Sequence, residues 1–580
     1  MSLVEQVEKR IKEQINSDTK VLDLKIDLLE YIQSSTSLFE KENSNKDAIE
    51  THKFRLNELD KQDALLMQMP NMNESGYYAG IVALRSYIKK FHPDLKVEII
   101  DPIVDYFYLN PPNKESEFFN LFNNYSKQGQ YKLMFEHKEF LDMFNDYVSK
   151  YIDKCEPEVF GFSIIDGNID ASLAMAHLVK AKYPHIKVAF GGNGIEKFNF
   201  GYLPGTYIVD KYKFIDFFVR GDGEETFVEL LKCNKTEEEL KQIQGLIWWN
   251  NDKVVYNTNR TNINMDILPY PDYAPLEDNF YYKSRYRWSV PLVMSRGCPY
   301  RCSFCSVPEY IPQFRHRTVD SVIEEIEHWV NKGRYNFFCH DSIINGNPKW
   351  LKEFSERIIA KGYGDGVIVW GGNMRLQTQM RDLDTMRLYY RAGLRKMITG
   401  FESASHPVLK HMKKYTDVQG VREIFENVRT INKERDFNTP GNKDALLFAM
   451  QLIIGYLNET EENFQETVDF IKEYRDCIEE ILTCSAFLLH ETLIKRWISE
   501  GEYLEVHNTV NFTTNYNTPE QRLDRLNRIE QVFKDLNLKY NVYNRGLYHE
   551  LKTIRKENIM YNNAGDNFDI VYNVHNKKEI

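Results

Sequence analysis

The sequence predicts an α/β protein in two successive parts, a doubly wound parallel sheet followed by a β/α barrel or partial barrel, with helical extensions at both ends. Three observations predict it. Short apolar runs alternate with stretches of helical period from residue 61 onward, the pattern of parallel strands joined by crossover helices. Glycines and small polar residues follow those runs, at the strand ends where such sheets hold ligands. Three of the eight cysteines crowd into residues 298–305, just after the first apolar run of the second part. The expected divisions are a helical extension over 1–60, the doubly wound sheet over 61–245, a linker with a hairpin over 246–285, the barrel over 286–500 and a helical cap over 501–580.

Residues 3–60 are polar with scattered apolar positions such as Leu22, Ile26 and Leu29, and carry no recognisable chemistry. Ala64–Met69 reads as a strand ended by Pro70, Tyr78–Phe91 as a helix and Lys96–Asp101 as the next strand. Residues 103–153 are aromatic-rich and helical, longer than a simple connection needs. A strand at Val159–Ile165, which contains Ser163, a helix at Ala171–Lys182 and strands at Lys187–Phe190 and Phe214–Val219 complete the first part. The clusters Gly191-Gly192-Asn193-Gly194 and Arg220-Gly221-Asp222-Gly223-Glu224-Glu225-Thr226 follow the last two strands. Glycine there lets backbone approach a ligand, although a plain turn uses it equally well. Residues 245–257 read as a hairpin around Asn250-Asn251-Asp252, and Leu268–Tyr273 is a proline-rich crossing.

Val290–Met294 reads as a buried strand that Gly297 and Pro299 break into a loop carrying Cys298, Cys302 and Cys305. Three thiolates do not complete a tetrahedral zinc shell, and no downstream Cys-x-x-Cys pair finishes one. An iron–sulfur cluster suits them better, one iron per thiolate, and a four-iron cluster would keep one iron open for chemistry. The helix Val319–Val330 turns Val322, Ile323, Ile326 and Trp329 inward, with Glu324, Glu325 and Glu327 expected outside. Strands follow at Tyr335–Phe338, Val367–Trp370, Lys396–Thr399, Leu447–Ile454 and Ile481–Leu489. Their carboxyl ends carry Cys339-His340-Asp341-Ser342, Gly371–Arg375, Gly400-Phe401-Glu402-Ser403 and Gly455–Thr460, the catalytic face of a β/α barrel. Cys339, Cys484, His340 and His490 are read as structural residues in or beside strands rather than as catalytic groups. Pro519–Leu538 is an amphipathic helix, expected as part of a cap over the barrel mouth.

Composition narrows the function classes. Lys+Arg 74 against Asp+Glu 85 leaves a net charge of −11, which disfavours nucleic acid as a partner. The remaining cysteines, Cys155, Cys233, Cys339, Cys477 and Cys484, follow no disulfide framework. No apolar run approaches the roughly 20 residues of a membrane span, and Met-Ser-Leu-Val-Glu-Gln is not the start of a signal peptide. A cytoplasmic location is the expectation.

The strand followed by Ser-Arg-Gly-Cys-Pro-Tyr-Arg-Cys-Ser-Phe-Cys resembles the radical S-adenosylmethionine (radical SAM) superfamily. With the glycine-bearing sheet directly upstream, the chain is similar to its class B, whose members carry a Rossmann-like cobalamin-binding domain before the radical SAM barrel. The resemblance implies a [4Fe–4S] cluster on Cys298, Cys302 and Cys305, whose open iron takes SAM and cleaves it to a 5′-deoxyadenosyl radical. It implies SAM contacts from Phe304, Asp341, Arg375, Glu402, Ser403, Gly455 and Glu459. A solvated loop aspartate is the alternative for Asp341, and an ion pair within the barrel the alternative for Arg375. It implies cobalamin contacts from Ser163, Gly191, Gly192, Asn193, Gly221, Gly223 and Glu224. Three departures stand out: Asp222 replaces the usual glutamate, Leu457 replaces a proline, and Met69–Gly76 contains no Asp-x-His-x-x-Gly to offer cobalt a histidine.

The implied function is SAM cleavage for cobalamin-dependent methylation of an unactivated carbon on a peptide or specialised metabolite. A one-electron reductant such as flavodoxin or ferredoxin would be the partner. Radical oxidation, cyclisation or rearrangement with an empty first sheet is the first alternative. A tRNA methylthiotransferase would need more N-terminal cysteines and a basic C-terminal domain. A cobalamin or cluster sensor without turnover is the non-enzymatic alternative.

Overall fold

The computed structural model describes residues 59–69, 79–100, 131–165, 168–198, 209–273, 289–305, 307–311, 313–414, 417–435, 444–487, 493, 497, 500, 502–506, 512–543 and 570–572. The helical reading of 3–60 falls outside these residues up to 58, as do Asn71–Gly76, residues 103–130, His490 and most of the C-terminal tail.

Seven strands form the first sheet: β1 (Ala64–Met67), β2 (Val97–Ile100), β3 (Val159–Ser163), β4 (Lys187–Gly191), β5 (Phe217–Val219), β6 (Leu246–Asn250) and β7 (Lys253–Tyr256), in the order β2-β1-β3-β4-β5-β6-β7. The first five pair in parallel, and β1 is buried along its whole length, as a strand covered by helices on both faces must be. The order 2-1-3-4-5 reverses direction between β1 and β3, which puts the ligand crevice at their carboxyl ends. The 246–256 hairpin continues this sheet as two antiparallel strands.

The second sheet also has seven strands, and all its pairings are parallel. It begins at β8 (Val290–Leu292), after which β9 (Ser295–Arg296) and β10 (Arg315–His316) form a small antiparallel ladder outside it. β11 (Asn336–Cys339), β12 (Val369–Met374), β13 (Leu394–Glu402), β14 (Leu447–Ile454) and β15 (Ile478–Ala486) then follow in spatial sequence. Helices at Val319–Asn331, Pro348–Ala360, Leu383–Arg391, Val418–Glu434 and Glu461–Glu473 join successive strands. This is the partial barrel.

The C-terminal segment holds more than the expected helix. Short strands β16 (Leu504–Val506), β17 (Phe512–Thr514) and β19 (Ile570–Tyr572) make a separate antiparallel sheet, while β18 (Lys539–Tyr543) docks parallel on β15 as the seventh barrel strand. The Pro519–Asp535 helix is thus the last crossover of the barrel, started by a Thr518–Gln521 capping box. Glu325, expected outside, is buried and accepts a hydrogen bond from buried Arg317. It lies three residues after Val322 and four before Trp329, on the buried stripe, so its position outweighed its charge. No helix among the described residues is long and apolar enough to cross a membrane.

Candidate active site

The cysteine loop leaves β8 at the barrel's first strand and returns through β10. Gly297 makes the exit possible: its φ is +84°, and a Cβ there would stand 2.6 Å from the Gln313 carbonyl oxygen. The Cys305 N–H donates to the Cys302 carbonyl at 3.1 Å, and all three thiols are free and half-buried. Burial raises the Cys298 pKa and pushes Cys305 up to about 11, so a metal would displace protons on binding. Arg375 stacks 4.0 Å from the centre of the Tyr300 ring and donates to Cys302 Sγ at 3.5 Å. Among the described residues no three His, Cys, Asp or Glu side chains converge on a single metal ion. Separate irons on separate thiolates make a looser demand.

Ser303 ties this loop to the end of the His406–His411 helix and to the residues after β14. Its N–H donates to the Met412 carbonyl at 2.9 Å, and its hydroxyl lies 2.9 Å from the Tyr456 hydroxyl. Phe304 is thereby packed against the apolar cluster of Val408, Leu409, Met412 and Leu457. Lys414 Nζ stands 5.8 Å from the Phe304 ring centre and 3.2 Å from Glu402 Oε1. Glu402, at the end of β13, has φ +65° beside a register shift against β14, which marks a functional outlier worth reading. Gly400 leaves room for the pair, since a Cβ there would collide with the Glu402 carboxylate. Burial raises the Glu402 pKa, and the Lys414 and Arg375 cations pull it back. Cysteine loop, aromatic ring, carboxylate and two cations therefore share one barrel mouth.

The other SAM candidates are tied into the fold. Asp341 is buried and accepts from Met294 N–H at 3.1 Å and Ser295 Oγ at 2.5 Å, bracing the strand end before the cysteines. Burial lifts its pKa to about 6. The Ser403 hydroxyl is buried 3.2 Å from Thr467 Oγ1. Gly455 has φ +74°, lies under Arg522, and donates its N–H to Glu459 Oε2 at 2.7 Å. Glu459 is buried beside Arg525, and its Oε1 has no hydrogen-bond partner.

Burial, against the pull of Arg525, raises Glu459 from 4.5 to about 7. The folded chain therefore holds this proton more tightly than the unfolded chain. The stabilising contribution is full below about pH 4.5 and is lost as pH rises through about 7. Glu459→Gln is expected to gain in Tm relative to wild type between pH 5 and pH 8. A Tm difference that stays constant over that interval would refute the assignment.

In the first sheet, Ser163, Gly191–Asn193 and Gly221–Gly223 stand at the carboxyl ends of β3, β4 and β5. Asn168 Nδ2 donates to the Met69 and Ser163 carbonyls, joining the β1 and β3 ends where the sheet order reverses. Gly192, at φ +91°, passes so close to Ile164 that a Cβ would sit 2.8 Å from its oxygen, whereas Gly221 faces open space. Glu224 is buried against Arg296 of β9, so its carboxylate points to the β9–β10 ladder beside the cysteine loop.

Sequence reasoning did not find Lys414, Ser303, Tyr300 or Arg525. Lys414 follows Lys413 after a short helix and has the pattern of a solvated pair; only the tertiary fold carries it to Glu402.

A sequence model of the Radical SAM superfamily matches residues 292–471. The anaerobic magnesium-protoporphyrin IX monomethyl ester cyclase of Cereibacter sphaeroides is 30% identical over 57% of this chain and 52% of its own length. The bacteriochlorophyllide d C-12(1)-methyltransferase of Chlorobaculum tepidum is 26% identical over 38% of this chain and 45% of its own. The matches thus span about half the length of these curated relatives. Among solved structures, the radical SAM methyltransferase TsrM of Kitasatospora setae superposes with TM-score 0.51 at 16% identity over 73% of this chain and 72% of its own. The cobalamin-dependent radical SAM enzyme OxsB superposes with TM-score 0.52 at 16% identity over 87% and 63%. Residues 292–471 thus carry a domain of the radical SAM superfamily, and the chain shares its fold with the radical SAM enzymes TsrM and OxsB.

Proposed function

We propose that this protein is a radical SAM enzyme in which Cys298, Cys302 and Cys305 hold a [4Fe–4S] cluster and the first sheet holds cobalamin, for methylation of an unactivated carbon on a peptide or specialised metabolite. The observation that carries the reading is the meeting of three free thiols with Phe304, Arg375 and the Lys414–Glu402 pair at one barrel mouth. When bound, the cluster supplies one electron to cleave SAM to a 5′-deoxyadenosyl radical, and cobalamin supplies a methyl carrier.

The chain's own residues have definite parts. Arg375 offers a planar fork to a carboxylate beside the cysteine loop. Glu402, paired with Lys414, offers its carboxylate to ribose hydroxyls, and Phe304 gives the adenine a face to stack on. Asp341 and Glu459 brace the strand ends through hydrogen bonds to Met294, Ser295 and Gly455. Carboxyl-end backbone at the β1–β3 reversal lies where a doubly wound sheet holds its ligand. A low-potential one-electron donor of the flavodoxin or ferredoxin kind would serve as partner.

The second reading is cyclisation, oxidation or rearrangement without methyl transfer, favoured by the cyclase name of the 30%-identical relative. Anaerobic reconstitution with iron, sulfide and hydroxocobalamin, then desalting and metal analysis, separates the two. About four irons with about one cobalt per chain supports methyl transfer. Iron without cobalt favours the second reading, and a chain that retains neither overturns both.

A further inference from the structure

Asp222 occupies the N-cap position of the Gly223–Lys232 helix, yet its carboxylate accepts no hydrogen bond from that helix. Aspartate at this position ordinarily caps the first turn. Here it turns toward the second sheet. Arg296 Nη1 donates to Oδ1 at 2.7 Å, and Arg315 Nη2 reaches both oxygens at 2.5 Å. Oδ2 also accepts from the Ile263 N–H at 3.0 Å, so the segment connecting the two sheets ends on the same group. Glu224 accepts from Arg296 Nη2 at 2.6 Å.

Arg296 and Arg315 are direct partners in the β9–β10 ladder. Two guanidinium groups side by side in a largely buried place repel, and the ladder that closes the cysteine loop would open without anions between them. Asp222 and Glu224 supply two negative charges against the two positive ones. Arg296 lies two residues before Cys298, and Gly221 lies one residue before Asp222. A single charge cluster thus joins the glycine loop of one sheet to the base of the cysteine loop of the other.

We propose that Asp222, with Glu224, Arg296 and Arg315, forms a latch that holds the cysteine loop at a fixed place against the glycine loop of the first sheet. These are positioning residues. The latch itself stands on the hydrogen bonds alone; its effect on SAM rests on the cluster reading above.

The test is hydrogen exchange on the full-length chain, wild type against Asp222→Asn and Asp222→Glu, following peptides over 219–226 and 293–317. Asp222→Asn is expected to raise exchange in both segments at least about fivefold, with distant barrel strands unchanged, because the opening is local. Asp222→Glu, which keeps the charge, should stay close to wild type. Wild-type exchange in Asp222→Asn would overturn the latch. Should that variant fail to fold, Glu224→Gln, which leaves the Arg315–Asp222 contacts in place, carries the same comparison at Arg296. In reconstituted protein the latch further predicts unchanged iron content but a weakened SAM-induced change in the cluster's electron paramagnetic resonance spectrum for Asp222→Asn, restored in Asp222→Glu. A wild-type chain that takes up no iron would refute the cluster reading, while the exchange data still decide the latch.

Discussion

Cys302→Ala is expected to abolish both cluster assembly and SAM cleavage. The three thiols lie on one short loop, and each would carry a separate iron, so the loss of one leaves two anchors for a cluster that needs three. Cys302 is also the sulfur that Arg375, the proposed partner of the SAM carboxylate, touches at 3.5 Å. Fold stability should change little, within about 0.5 kcal/mol, because the side chain is half-buried on a loop and packs in no core cluster. Iron analysis, the visible absorbance of the reconstituted protein and 5′-deoxyadenosine formation with a chemical reductant provide the measurements. Cys233→Ala, outside the site, is the control and should match wild type. Continued 5′-deoxyadenosine formation by Cys302→Ala would sink the proposed mechanism.

Much of this architecture was legible because its signals are local. Parallel strands buried on both faces appear as apolar runs, and Ala64–Met67, Val159–Ser163 and Leu447–Ile454 lie where those runs lie. The cysteine spacing, the strand before it and Phe304 together singled out the candidate loop. What escaped were features made by contacts between distant residues. Lys539–Tyr543 alternates polar and apolar residues in a polar tail, and only pairing with β15 makes it a barrel strand. Glu325 has an ordinary helix-surface identity, yet Arg317, eight residues earlier, neutralises it inside the core. Asp222 shows the same limit from another side. Its place before a helix reads as a cap, and the two arginines that claim it lie 74 and 93 residues away. Charge pairs at such separation leave no periodic trace in a single sequence.

The Lys414–Glu402 pair gives the second large expected effect. Removing one partner of a buried pair costs about 3–5 kcal/mol when the other charge stays, but a carboxylate has an escape, since it can take a proton. Burial already raises the Glu402 pKa, and the Lys414 cation is the main group opposing it. In Lys414→Met the carboxyl should therefore hold its proton to higher pH than in wild type, with only Arg375 left to oppose burial. A neutral acid loses the charge-assisted bonds to ribose hydroxyls, about 1.5–3 kcal/mol, or roughly 10- to 150-fold in SAM affinity. The sign of the pH dependence separates this from a simple packing defect. Raising the pH favours the ionised form of Glu402, so SAM binding by Lys414→Met should move back toward wild type as the pH rises. Wild type should vary little over the same range, and Glu402→Gln, with nothing to ionise, should bind weakly at every pH. Equilibrium dialysis of SAM against the reconstituted proteins from pH 6.5 to 9 reads all three. Equal loss in Lys414→Met and Glu402→Gln with no recovery at high pH would show that the lysine acts through packing, and wild-type affinity in either variant would remove the pair from the SAM site.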